Sequence, residues 1–449
     1  MKSSAMDMCH GPLFKKMVAY TVPIILTGVL QLLFNAADLV VVGRFCGSIS
    51  VAAVGATGSI INLITNLFIG LSVGAGVASA HAIGAGHDEE LRDTVHTAMP
   101  AAVICGAVLT VIGIACAEFF LELMKTPEDV IGLSAVYMKI YFAGMISSMV
   151  YNFGSAILRA AGDTKGPLIY LTISGVLNVV LNVFFVVSFD MDVAGVALAT
   201  SLSQTLAAVL VVIALMRRTD SCRLELRKMR ISQKPLVKMI RIGLPAGLQG
   251  SLFAISNVII QSSINSFGAA AMSGSAAASN LEGFTYIAMN AFHQTALNFS
   301  GQNMGAKKYD RVAKIMWISL GCTAVLGLVL GVLTYVFARP LLGIYITDSA
   351  EAIELGVVRL LYISVPYFLC GLMDTSTGVI RGMGSSVAPM LITVLGVCGV
   401  RLAWIYTIFQ LPKFHTLEGL YVAYVISWIV TWIAQMILYF ILRKKQKAL

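Results

Sequence analysis

The sequence predicts an all-α polytopic membrane protein. Twelve transmembrane helices are expected in two six-helix lobes, related by a pseudo-two-fold axis along the membrane normal, with a central cleft. Three observations predict this: an apolar composition, twelve long apolar runs, and a sequence that repeats itself at half its length. Of 449 residues, 58% are hydrophobic and 12% charged, with a mean hydropathy of +0.86. A soluble domain carries about 25% charged residues. This chain has too few to cover a core of such size, so its surface must be lipid.

The runs fall at 17–43, 52–83, 94–117, 131–157, 167–188, 195–216, 239–266, 270–303, 312–337, 352–379, 389–410 and 417–442. Each is long enough to cross a bilayer, which takes roughly 20 apolar residues. Several are longer, so tilt, kinking or extension past the membrane is expected. The polar segment MKSSAMDMCHGPLFKK precedes the first run, which is too long for a leader, so no cleaved signal peptide is expected.

KMVAYTVPIILTG, from Lys16 to Gly28, returns as KMIRIGLPAGLQG, from Lys238 to Gly250, 222 residues later. RAAGDTKGP (159–167) returns as RGMGSSVAP (381–389) at the same offset, and GAGHDEELRDTV, from Gly84, as GAKKYDRVAKIM, from Gly305. Repetition on this scale means two structural halves. The expected domains are an N-terminal lobe at 1–216, a basic linker at 217–238 and a C-terminal lobe at 239–449. Six spans per half make the repeats parallel, and paired halves in an apolar chain suggest a transporter with its path between them.

Orientation follows the basic residues. Of 31 Lys and Arg, 24 fall in or beside the N-terminal segment, alternate loops and the C-terminal tail, with the largest group between Arg217 and Arg241. The opposite loops hold only Arg44, Lys125, Arg339 and Lys413. Both termini are therefore expected in the cytoplasm, at the inner (plasma) membrane. The net charge of +9 sits between apolar spans rather than on one face, which argues against a nucleic-acid partner. The eight cysteines lack metal-ligand spacing and read as small hydrophobes.

Polar residues inside the spans need reasons, because an acid at the centre of a membrane helix costs roughly 2.5–3.5 kcal/mol. Span 1 carries Asp38 near Asn35, fifteen residues after Pro23, whose ring removes a helix hydrogen bond and marks a kink. Span 5 places Asn178 and Asn182 one turn apart, and span 6 adds Thr200, Ser201 and Gln204. Asp38, Asn178, Asn182 and Thr200 form a hard-oxygen set suited to a proton relay or to Na⁺. The alternative is static interhelical hydrogen bonding, typically about 0.6 kcal/mol per contact. Span 7 offers Gln249, Asn257 and Gln261; span 8 offers Glu282 and His293; span 10 offers Asp374. Arg401 and Trp404 in span 11 could stack on substrate, or Arg401 could pair with Asp374. Tyr137, Tyr141, Phe292 and Trp428 could line an adaptable pocket.

Together these residues carry a resemblance. VPIILTGVLQLLFNAADLVVVGRFCG in span 1, the NVVLN pair in span 5, SGQNMGA (300–306) and DTSTGVIRGMGSSVAP (374–389) resemble the multidrug and toxic compound extrusion (MATE) family of secondary transporters. The resemblance covers essentially the whole chain. It implies two six-helix lobes exporting organic cations or amphipathic drugs by alternating access, driven by inward H⁺ or Na⁺, with no cofactor. The family's cation site maps onto Asp38, Asn178, Asn182 and Thr200, where Na⁺ could bind, and its span 10 acid onto Asp374. The set Glu282, Asp374, Gln249, Asn257 and Arg401 would serve the second lobe or the substrate. Some members have Asp where this chain has Asn182, and others a Glu on span 7 where this chain has amides and hydroxyls. The first departure leaves the coupling ion open, and the second bears on any cation site in the C-terminal lobe.

Partners implied are a small amphipathic or cationic molecule and the bilayer, with the protein a monomer. A flippase for lipid-linked oligosaccharide or another amphiphile is the alternative, though its cleft should be more cationic. A membrane enzyme is disfavoured, because no metal-ligand spacing, nucleophile triad or P-loop is present.

Overall fold

The structure, a computed structural model, describes residues 6–124, 126–347 and 349–447. Lys125, counted above among the opposite loops, lies outside them. The described residues form helices and connections and no strand. In order these are α1 (Leu13–Phe45), α2 (Ser48–Ala85), α3 (Asp88–Ala115), α4 (Ala117–Leu123), α5 (Glu128–Ala143), α6 (Met145–Ala160), α7 (Lys165–Val183) and α8 (Asp192–Met216). After a connection come α9 (Gln233–Asn265), α10 (Ala269–Gly305), α11 (Tyr309–Val336), α12 (Ala338–Gly343), α13 (Ala350–Arg359), α14 (Tyr367–Gly382), α15 (Val387–Thr393), α16 (Val400–Tyr406) and α17 (Leu417–Lys447). Wider π-helical turns continue α7, α13 and α15 at Phe184–Ser188, Leu360–Ser364 and Val394–Gly399.

Among the described residues, nine helices are long and apolar enough to span a membrane, and two bent pairs raise the number to eleven. The pairs are α5 with α6, bent by 48°, and α13 with α14, bent by 40°. Pro366, which has no backbone N–H to donate, sits in the second break. Of the twelve expected spans, α10 fails the apolarity criterion. It carries Asn280, Glu282, Asn290, His293, Gln294 and Asn298.

The chain groups into two compact units. Among the described residues, one contains 22–251 with 6–8, the other 252–447 with 9–21. The expected division at 1–216 and 239–449 follows the sequence repeat, whereas the units follow packing.

In the first unit the cause is small residues, which let membrane helices approach where no hydrophobic force drives them together. Gly70 and Gly74 of α2 face Gly243 and Gly247 of α9, and a Cβ on Gly243 would lie 2.6 Å from the Leu71 Cα. The first half of α9 is thereby held to α2. The core behind it joins Leu109, Met138, Phe142, Met149 and Phe153, all essentially inaccessible.

The connection at 217–232 docks on α3. The Glu225 amide donates to His96 Nε2 at 3.1 Å, the Ser232 amide to Thr97 Oγ1 at 3.1 Å, and Arg230 pairs with Asp93 at 2.7 Å. Arg218 grips Asp220 with two donors. Partial burial pushes the Asp220 carboxyl up, but the Arg218 guanidinium and neighbouring amides outweigh it and hold it below its ordinary value. Stability from this pair is therefore full above the unfolded carboxylate value of about 3.9 and is lost as pH falls through the lower folded value. Asp220→Asn should lower the thermal midpoint slightly and constantly from pH 7 to 5, a loss of less than about 1 kcal/mol because the Asp220 side chain is half exposed. Below about pH 4 the two proteins should converge. A midpoint difference that does not shrink there would remove the ion pair as its cause.

In the second unit, α10 packs against α11, α13 and α14 around Ala296, Met316, Leu372, Val379 and Ile380. A smaller core gathers Ile260, Ile363, Phe409, Tyr421 and Trp428. All eight cysteines are free.

Candidate functional site

Three helices of the first unit bring the sequence-expected cluster together. Gly175 on α7 leaves room for the Phe34 ring of α1, where any Cβ would collide with it. This close approach sets α1 beside α7 one turn below the asparagine pair. Asp38 then lies against Asn182, whose Nδ2 donates to the Asp38 carboxylate. The same Nδ2 is 3.3 Å from Asn178 Oδ1, and Asn178 Nδ2 donates to Thr200 Oγ1 of α8 at 3.3 Å. The Thr200 hydroxyl donates to the Val196 carbonyl at 3.0 Å and lies within reach of Asp38. All four residues named from the sequence thus form one connected chain. Directly after Asn182 the helix widens into its π-helical turn, a feature frequent at functional sites.

The polar balance of the cluster is uneven. Asn178 and Asn182 are buried, and Asn182 Oδ1 is enclosed with no hydrogen-bond donor among the described residues; the same holds for Gln204 Oε1 on α8. Buried polar atoms are normally satisfied. An acceptor left open beside a carboxylate fits a ligand that brings positive charge or a proton. The donors around Asp38 are neutral amides and a hydroxyl, so a single bound cation would neutralise the group. Tyr137 and Tyr141 of α5, stacked with ring centroids 6.0 Å apart, also interact with Asp38. The sequence marked them only as possible pocket aromatics, since nothing in it links α5 to α1.

The second set does not form one site. Glu282 is buried and bound by Arg359, which donates to both carboxylate oxygens at 3.0 and 2.8 Å and to Ser275 Oγ at 2.6 Å. No sequence signal joined residues 77 positions apart. Gln249 is buried and packs with the first unit, while Asn257 is exposed. Arg401 does not pair with Asp374: its Nε donates to Ser427 Oγ at 3.0 Å, and its guanidinium lies 4.1 Å from the Tyr424 ring centroid. The Asp374 backbone carbonyl accepts from His293 Nδ1 at 2.7 Å, so His293 is a bonded packing residue. Pro23 lies inside α1, which continues unbroken through it, and the Thr27 hydroxyl donates to the Pro23 carbonyl at 2.7 Å. Among the described residues no three His, Cys, Asp or Glu side chains are grouped to hold a metal ion.

The MatE family model matches this chain twice, over residues 23–184 and 245–407. The chain belongs to the MatE family. The two matches begin at Pro23 and Pro245, which lie at corresponding positions of the repeated segments Lys16–Gly28 and Lys238–Gly250. Among relatives, the probable multidrug resistance protein YoeA of Bacillus subtilis (strain 168) is 27% identical over 419 residues, covering 92% of this chain and 90% of that protein. The probable multidrug resistance protein NorM of Thermotoga maritima is 25% identical over 395 residues, covering 86% and 84%. The crystal structure of MATE in complex with MaL6 superposes with a TM-score of 0.92 at 21% identity, covering 99% of this chain and 100% of that one. At that identity the likeness shows the fold: an all-helical, two-lobed membrane architecture. This MatE chain is a multi-pass membrane transporter, not an enzyme.

Proposed function

We propose that this MatE protein is a cation-coupled antiporter that exports amphipathic or cationic drugs by alternating access, with H⁺ or Na⁺ as the entering ion. Its place would be the plasma membrane, with both termini in the cytoplasm. The observation that carries the reading is the convergence of Asp38, Asn178, Asn182 and Thr200 from three helices into one hydrogen-bonded chain. The multidrug resistance named for its relatives agrees with the exported class.

The ion acts on the charge of Asp38. A proton would convert the carboxylate into a donor and reverse its bond with Asn182. Sodium would instead draw on the oxygens of Asp38, Asn178, Asn182 and Thr200. Either neutralises an acid surrounded by apolar helix, and either changes what α1 must satisfy around Asp38. Ion and drug are coupled only if each prefers a different conformation, and such coupling is typically worth about 1–3 kcal/mol.

Purified protein in vesicles, given imposed proton or sodium gradients in turn, tests the reading. Accumulation of ethidium driven by one gradient and abolished by its collapse is expected. Ethidium movement indifferent to both gradients would defeat the antiport.

A further inference from the structure

Arg401 sits in the second unit without a counter-charge. The residue is 5% exposed, and its one hydrogen bond is the Nε donation to Ser427 Oγ. Its two Nη groups donate to nothing among the described residues, yet neither is among the fully enclosed polar atoms, so each keeps some accessible surface. Every nearby acid is otherwise placed. Glu282 is taken by Arg359, and Asp374 has no direct interaction with Arg401, although Cys370 interacts with both. Around the guanidinium lies an aromatic wall, with Tyr424 at 4.1 Å and Trp428 at 5.9 Å to the ring centroids. Those two rings meet edge to face at 5.9 Å.

A basic side chain within a membrane span is expensive and is normally paired or set to work on a ligand. Arginine presents a planar fork whose outer donors match a carboxylate or phosphate, and here the inner donor is already fixed. Contact with the Tyr424 ring, 4.1 Å from the guanidinium, steadies the fork. We propose that Arg401 binds the acidic group, carboxylate or phosphate, of the transported amphiphile, with Tyr424 and Trp428 bearing on its apolar body. This names a substrate class within the proposed export function and rests on that reading.

Rhodamine 110 and its methyl ester, rhodamine 123, share one cationic ring system and differ only in the free carboxylate. Their affinities for the detergent-purified transporter can be read by fluorescence anisotropy, with no gradient present. The wild type should bind rhodamine 110 about tenfold more tightly than the ester, as expected for one charge-assisted contact. Arg401→Gln should bring the ratio to about one while leaving ester binding within twofold. Arg401→Lys should retain part of the preference, and Ser427→Ala, which frees Nε and removes the hydroxyl's bond to the Tyr424 carbonyl, should reduce it without threatening the fold. A wild type that binds the two dyes equally, or binds neither, overturns the proposal. So does an Arg401→Gln or Ser427→Ala protein that weakens both dyes alike and leaves the ratio unchanged. Equal dye binding with Trp428 fluorescence quenched by inorganic phosphate alone would instead assign Arg401 to a free anion, also overturning it. Because binding is read without ion gradients, this outcome stands apart from whether Asp38 couples transport.

Discussion

Asp38→Asn should leave the transporter folded and able to bind substrate while reducing gradient-driven efflux to the level of cells lacking the protein. The amide is isosteric with the carboxylate, and its oxygen can still accept from Asn182 Nδ2, so the contact between α1 and α7 survives. What disappears is the charge that a proton or sodium ion would neutralise. In the wild type the ion should shift drug affinity by about 5- to 150-fold, the usual span of a coupling of 1–3 kcal/mol. In the variant that factor should fall to one. Asn182→Leu should give a partial version, since it removes both the donor to Asp38 and the open acceptor Oδ1. Ethidium affinity measured with and without the ion, beside efflux in an efflux-deficient host, separates the two effects. Undiminished resistance from Asp38→Asn would end the coupling role.

The other large effect is expected at Glu282 and Arg359, and it is one of stability. Both side chains are 7% exposed, the pair is bidentate, and Ser275 satisfies a further guanidinium proton. The pair ties α10 to α13 just before the π-helical turn at Leu360–Ser364. Removing one partner strands a buried charge, at a cost of about 3–5 kcal/mol. Glu282→Gln and Arg359→Leu should each sharply lower the thermal midpoint of the purified protein. The double variant Glu282→Leu with Arg359→Met should recover most of the loss, because two well-packed apolar groups replace a pair whose attraction had to offset its own desolvation. Single variants as stable as the wild type would show that the ion pair does not hold these helices together. A double variant that keeps efflux would place Glu282 outside ion coupling, where the sequence had set it among the substrate-facing residues.

Fold class was legible because it depends on composition and period. A chain with so few charges has only lipid to present its surface to, and a recurring Lys-Met-Pro-Gly pattern reports duplication without reference to contacts. The first site was legible for a related reason. Asp38, the Asn178–Asn182 pair and Thr200 each stood out as polar residues in hydrocarbon, where every such residue needs a partner.

Pairing in the second unit was not legible, because partners there are chosen by which helix faces meet. Glu282 found Arg359 rather than a coupling ion, and Arg401 found Ser427 and Tyr424 rather than Asp374. Packing likewise placed the first half of α9 with the first unit through the glycines at 70, 74, 243 and 247, although the repeat assigns that helix to the second. By itself the sequence determined that this protein lies in a membrane, is built twice over and carries a carboxylate within its first span. Only the tertiary structure decided which charges are neutralised inside the protein and which remain open, since that depends on distances of a few ångströms between helices far apart in the chain.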